Sequence, residues 1–73
     1  MEKVQLKTEF IKLSQLLKYA GAVLSGGEAD ILIKEEYVAV NGEICTMRGK
    51  KIYPGDRVVI TDDDGEEMEI EVV

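Results

Sequence analysis

The sequence predicts an α+β domain in which two short helices accompany a small set of strands. Three observations carry that prediction. Leu13, Leu16, Leu17 and Ala20, and then Ala29, Leu32 and Ile33, recur at the spacing of a helix with one apolar face. Val4 and Leu6 near the start, and Met68, Ile70 and Val72 near the end, alternate with polar or charged residues, as in half-buried strands. Between two such regimes lies Asn41-Gly42, the residue pair that best tolerates the two positive φ angles of a type I′ hairpin turn.

Taken in order, residues 2–8 read as a strand with Lys3, Gln5 and Lys7 on its polar side. In the stretch from Phe10, Leu13, Leu16, Leu17 and Ala20 form a helical stripe that ends at Gly21, a residue suited to the left-handed position that ends a helix. At about two turns this helix needs a second one to cover its apolar face. Ala22-Val23-Leu24 links the two, with Val23 or Leu24 expected to pack beneath the start of the next helix. That start is marked by Ser25 and Glu28, a capping box in which each side chain can satisfy a backbone N–H at the other's position. Gly26 and Gly27 fill the first turn, costing roughly 1 kcal/mol each in helix propensity relative to alanine. In exchange they leave bare N–H groups at the positive end of the helix, where a phosphate can approach without meeting a Cβ. A loop-to-helix junction relaxed by glycine would look the same.

Beyond Val38 the alternating pattern predicts a hairpin to Thr46 around Asn41-Gly42. Met47-Arg48-Gly49-Lys50-Lys51 follows as a basic loop, and Ile52-Tyr53 leads into a Pro54-Gly55-Asp56 turn. Arg57–Thr61 reads as a strand, Asp62–Gly65 as a turn and the last stretch from Glu67 as another strand. Glu67, Glu69 and Glu71 on this last strand complement Lys3 and Lys7 on the first. The two are therefore expected to be neighbours, each cross-strand pair contributing at most about 1 kcal/mol.

The 73 residues, 45% hydrophobic and 33% charged, suit one small globular domain spanning residues 1–73. No apolar run approaches a membrane span and the N-terminus lacks the apolar core of a signal peptide, so the expected location is cytoplasmic. With one cysteine there is no internal disulfide, and Cys45 is expected as a buried small hydrophobe. The chain has no histidine, which removes the commonest general base and the commonest transition-metal ligand. Zinc sites and Ser/Cys–His catalysis are accordingly not expected, and no cofactor is expected. The net charge of −6 conceals a division. Residues 1–60 hold all nine bases against eight acids, whereas residues 61–73 hold seven acids and no base. The whole-molecule charge is a poor guide to any one face.

The candidate binding residues are the Ser25-Gly26-Gly27 helix start together with Lys18, Lys34, Arg48, Lys50 and Lys51, with Asn41 and Gly42 shaping the adjacent hairpin. Amide donors plus mobile cations are what phosphate recognition needs. Lys18 and Lys34 also suit ordinary solvated helix faces. The 48–51 loop is harder to read so, because three cations in four positions repel one another unless an anion is expected. Tyr37 and Tyr53 could stack on bases, although strand-adjacent tyrosines usually serve the core or its rim. The Asp62–Glu67 cluster lacks the alternate ligand spacing of a calcium loop and reads as a solvated turn.

In register, Leu16-Leu17-Lys18, Ser25-Gly26-Gly27-Glu28-Ala29, Leu32-Ile33, Val38–Glu43, Arg48-Gly49-Lys50-Lys51 and Pro54-Gly55-Asp56 resemble the S-four RNA-binding domain. That family is named after the fourth protein of the small ribosomal subunit, and the nearest likeness is to its compact stand-alone bacterial branch, the YaaA-type proteins. The resemblance runs from about residue 10 to residue 60. It implies two short helices packed against a small, mostly antiparallel sheet, the αL RNA-binding motif. It also implies non-catalytic binding of structured ribosomal or transfer RNA by a monomer, in ribosome assembly or function. Asp30, Glu36 and Ala39 depart from the family pattern of basic residues and glycine, which implies weaker or more selective binding. The alternative is a protein-binding adaptor that offers its acidic C-terminal strand as a sheet edge to a basic partner. A ubiquitin-like sulfur carrier would need a terminal Gly-Gly where this chain has Val72-Val73.

Overall fold

In a computed structural model, which describes residues 2–73, both expected helices form and pack on one side of a five-stranded sheet. Helix α1 spans Leu13–Tyr19 and α2 spans Gly26–Lys34. Strands β1 (Glu2–Val4), β3 (Val38–Val40), β4 (Glu43–Ile44), β6 (Arg57–Thr61) and β7 (Glu67–Val72) build the sheet in the order β1-β7-β6-β3-β4. Two further strands, β2 (Ile11–Lys12) and β5 (Lys51–Ile52), pair with each other as a separate antiparallel ribbon. Every pairing is antiparallel except β1 with β7, which is parallel.

The core lies between the helices and one face of the sheet. Leu13, Leu16, Leu17, Ala29 and Ile33 from the helices meet Val38, Val58, Ile70 and Val72 from the strands, all fully buried. Among the described residues no polar or charged side chain is buried as a whole. Cys45 joins this core as a free thiol, its backbone N–H bonded to Val38 O at 2.9 Å. Val23 is buried under the entry to α2 while Leu24 projects into solvent, 91% exposed, so of the two candidates only Val23 packs.

Both helices end the same way. Gly21 N–H bonds Lys18 O and Ala22 N–H bonds Leu17 O; in α2, Glu36 N–H bonds Ile33 O and Tyr37 N–H bonds Leu32 O. These are paired Schellman bonds, and they require a left-handed residue just past the helix. Gly21 supplies it at φ 78° and Glu36 at φ 67°. The hairpin also forms as expected, with Val40 opposite Glu43 and Asn41 and Gly42 at φ 51° and 88°.

Two expectations are corrected, and one strand is added. The first strand ends at Val4 instead of running to residue 8, because Leu6 N–H takes the last partner, Val73 O, and the chain then bends away. Ile11 and Lys12 form a further strand that the sequence pattern does not reveal, since two residues are too few to show alternation beside a strong helical stripe. The acidic strand β7 is not an edge. It is flanked by β6 along its length and by β1 over Ile70–Val72, so the unpaired edge that the adaptor reading requires is reduced to Glu67–Glu69. The charge argument for β1 beside β7 does hold at Lys3, which lies opposite Glu71, while the ion pair on this face is Arg57 Nε to Glu69 Oε1 at 3.0 Å.

Candidate nucleic-acid interface

Ser25 has extended backbone, and its Oγ accepts the Glu28 N–H at 3.2 Å, which caps the start of α2. The return bond from the Glu28 carboxylate is not among the described hydrogen bonds, so half of the capping box operates. Gly26 and Gly27 are exposed, and no described hydrogen bond uses their N–H groups. A Cβ on Gly26 would meet nothing within 4 Å, and one on Gly27 only Ser25 Oγ at 3.9 Å. Packing within the protein therefore does not require glycine at either position. What the pair provides is access: two unshielded amides at the positive end of a helix dipole.

The basic loop is anchored beside the two helices. Lys50 O and Arg48 O accept the first two N–H groups of α1, from Leu13 at 2.9 Å and Ser14 at 3.1 Å. With its carbonyls held inward, the loop presents its cationic side chains outward. Arg48 Nη1 reaches Asp30 Oδ2 on the second turn of α2 at 3.1 Å. This pair places Arg48 one helical turn from the open amides, and it offsets part of the arginine's charge. Both partners remain solvated, so the ion pair is worth well under 1 kcal/mol and can exchange for a stronger anion.

The remaining expected residues divide. Lys50 is exposed in the anchored loop, and Lys51 lies on β5 with its Nζ 4.9 Å from the centre of the Phe10 ring. Lys18 is exposed in the last turn of α1, from which residues 20–25 lead directly to Ser25. Lys34 sits in the last turn of α2, about 12 Å along the axis from Gly26 at the usual helical rise. It belongs to the opposite end of the helix from the amides. Asn41 has its side chain fully committed: Nδ2 donates to Asp56 Oδ1 and Oδ1 accepts from Arg57 N–H, both at 3.0 Å. With Gly42 it shapes the hairpin and ties it to the Pro54-Gly55 turn.

The structure also brings in Lys12, which the sequence pattern did not single out. It stands directly opposite Lys51 in the β2–β5 ribbon and shares a shallow recess with Ser14, Gln15, Asp30, Arg48 and Gly49. Its signal was hidden with β2, whose pairing partner lies about forty residues downstream. Tyr37 is absent from this face. Its hydroxyl donates to Asp63 Oδ1 in the acidic turn, and that hydrogen bond, reinforced by the Asp63 charge, raises the phenol above its ordinary value of 10.0. In the same turn Asp62 Oδ1 accepts from Asp64 and Glu66 N–H, both at 2.9 Å. The turn therefore spends these acceptors on its own backbone, and among the described residues no group of acidic or thiol side chains is placed to hold a metal ion.

A glycine-led helix, an anchored basic loop and a short Asn-Gly hairpin on a small mixed sheet define an α+β module with a cationic face and an acidic turn. Residues 4–71 match the S4 domain family, and the chain belongs to it. A Bacillus subtilis (strain 168) protein with the name "Probable ribosome maturation protein RlbA" is 44% identical over 57 residues, which span 78% of this chain and 80% of that one.

Proposed function

We propose that this protein is a non-catalytic RNA-binding module that holds structured ribosomal or transfer RNA through the N-terminus of α2 and the 48–51 loop. The observation that carries this reading is the pair of open amides at Gly26 and Gly27, with Arg48 one helical turn away on an anchored basic loop. Membership of the S4 domain family and the ribosome maturation name of its Bacillus relative support RNA as the polyanion and the ribosome as its setting. Phosphates would sit at Gly26 and Gly27 and over Lys18, Arg48, Lys50 and Lys51, Arg48 leaving Asp30 as they bind. Ser25 holds the helix start in place, and Lys34 lies at the far end of α2 from these phosphates. The module works as one unit and as a monomer in the cytoplasm.

About three or four phosphate contacts give a slope of log affinity against log salt of roughly −2 to −4. Filter binding of ribosomal RNA across a salt series measures it, and a flat response rejects the proposal. The double variant Lys50→Glu/Lys51→Glu should weaken binding to all RNAs alike.

A further inference from the structure

We propose that the outward face of the β2–β5 ribbon is a seat for an unpaired nucleotide, with two aromatic rings for its base and two lysines for its flanking phosphates. The proposal rests on the RNA-binding reading and adds to it the kind of RNA element bound. Ile11 pairs with Ile52 and Lys12 with Lys51, and Ile52 is fully buried. Because side chains alternate along a strand, Lys12 and Lys51 point away from the core. Carried one step further, the same register sets Phe10 beside Tyr53 on the outward face. Their ring centres are 5.9 Å apart at an interplanar angle of 49°. One small surface thus presents two aromatics at one end and two cations at the other.

The fold accounts for only part of this arrangement. Lysines directly opposite one another on neighbouring strands repel. Neither belongs to a described ion pair; those are Arg48–Asp30 and Arg57–Glu69. Tyr53 is 42% exposed, although the Asp56 carboxylate that accepts its backbone N–H fixes its place in the turn. Lys51 Nζ lies close enough to the Phe10 ring for a cation–π contact, so the rings and charges form one continuous surface. An anion between Lys12 and Lys51 relieves their repulsion, and a base laid against Tyr53 covers its ring. A nucleotide supplies both at once. A paired base cannot do this, because its faces are already stacked inside the helix.

The test uses the full chain and a fluorescent oligouridylate of about ten nucleotides, the length scale of a short single-strand site. The same strand annealed to its complement is the paired control. Tyr53→Leu keeps apolar packing on Phe10 and removes the aromatic face. It should weaken single-strand binding by about 5- to 100-fold and leave duplex binding unchanged, while Tyr53→Phe retains the affinity. Lys12→Gln/Lys51→Gln should make the single-strand salt slope shallower by about 1.4. Unchanged single-strand binding in Tyr53→Leu and in the lysine pair overturns the assignment. Duplex binding without single-strand binding overturns the assignment alone, and no binding of either strand form or of ribosomal RNA overturns the RNA-binding reading with it.

Discussion

Glu36 occupies the position that Gly21 fills at the matching end of α1. Both close Schellman bonds and both lie in the left-handed region, yet only glycine reaches it without strain on Cβ. Glu36→Gly relieves that strain and loses some of the gain to the greater freedom of the unfolded chain. The expected result is stabilisation by about 0.5–1 kcal/mol, read as a shift of the denaturant midpoint at constant slope. The next residue gives a pH-dependent prediction. The Tyr37 hydroxyl donates to Asp63, so its folded pKa is raised above the unfolded value. The contribution to stability is complete below the ordinary phenol pKa of about 10 and is lost as pH rises through the raised folded value. Ultraviolet titration of wild type and Asp63→Ala should show one tyrosine moving to lower pH in the variant. Superimposable curves would mean that the pair does not form in solution. The oddity of Glu36 was legible in the sequence as a departure from a family glycine. Its backbone angle was not, because that depends on how Tyr37 enters β3.

At the level of elements, α2 sets stability against access. Gly26 and Gly27 weaken a short helix, and the space around them would accept a larger residue. Gly26→Ala/Gly27→Ala should therefore leave thermal stability unchanged or raise it by up to about 2 kcal/mol, while weakening RNA binding because the new methyl groups stand over the amides. Stability and affinity falling together would indicate that the glycines serve the fold. Helices, hairpin, β6 and β7 were readable because each is long enough, or has turn residues particular enough, to show its period. The β2–β5 ribbon was not. Each of its strands has two residues, and its meaning lies in register, which brings Lys12 to Lys51 and Phe10 to Tyr53. Asp30 was legible as a loss of positive charge, but only the packed loop shows that the charge it offsets is Arg48.

For the molecule as a whole, the division of charge in the sequence becomes a division in space. The basic loop anchors against the helices, while β7 carries its glutamates on the far face of the sheet, Glu69 paired with Arg57 and Glu71 flanked by Lys3 and Arg57. The charge pattern correctly implied that the first and last strands meet; it could not reveal that they run parallel, since complementary charges attract in either orientation. Val4 is buried and Leu6 packs on the core. Removing residues 2–7 should therefore cost about 2–4 kcal/mol, a large share of the stability of so small a domain, as measured by chemical denaturation. An unaltered midpoint would place the β1 contribution near zero.

Parallel docking of β1 on β7 has a topological consequence. Leu6 N–H bonds Val73 O and Val73 N–H bonds Val4 O, so the two extremities are stitched into the same margin of the sheet, remote from β4. Because β1 and β7 run the same way, Glu2 starts beside Ile70 while Val73 runs on past Val4, so a segment joined ahead of β1 and one joined after β7 would leave this margin in opposite directions.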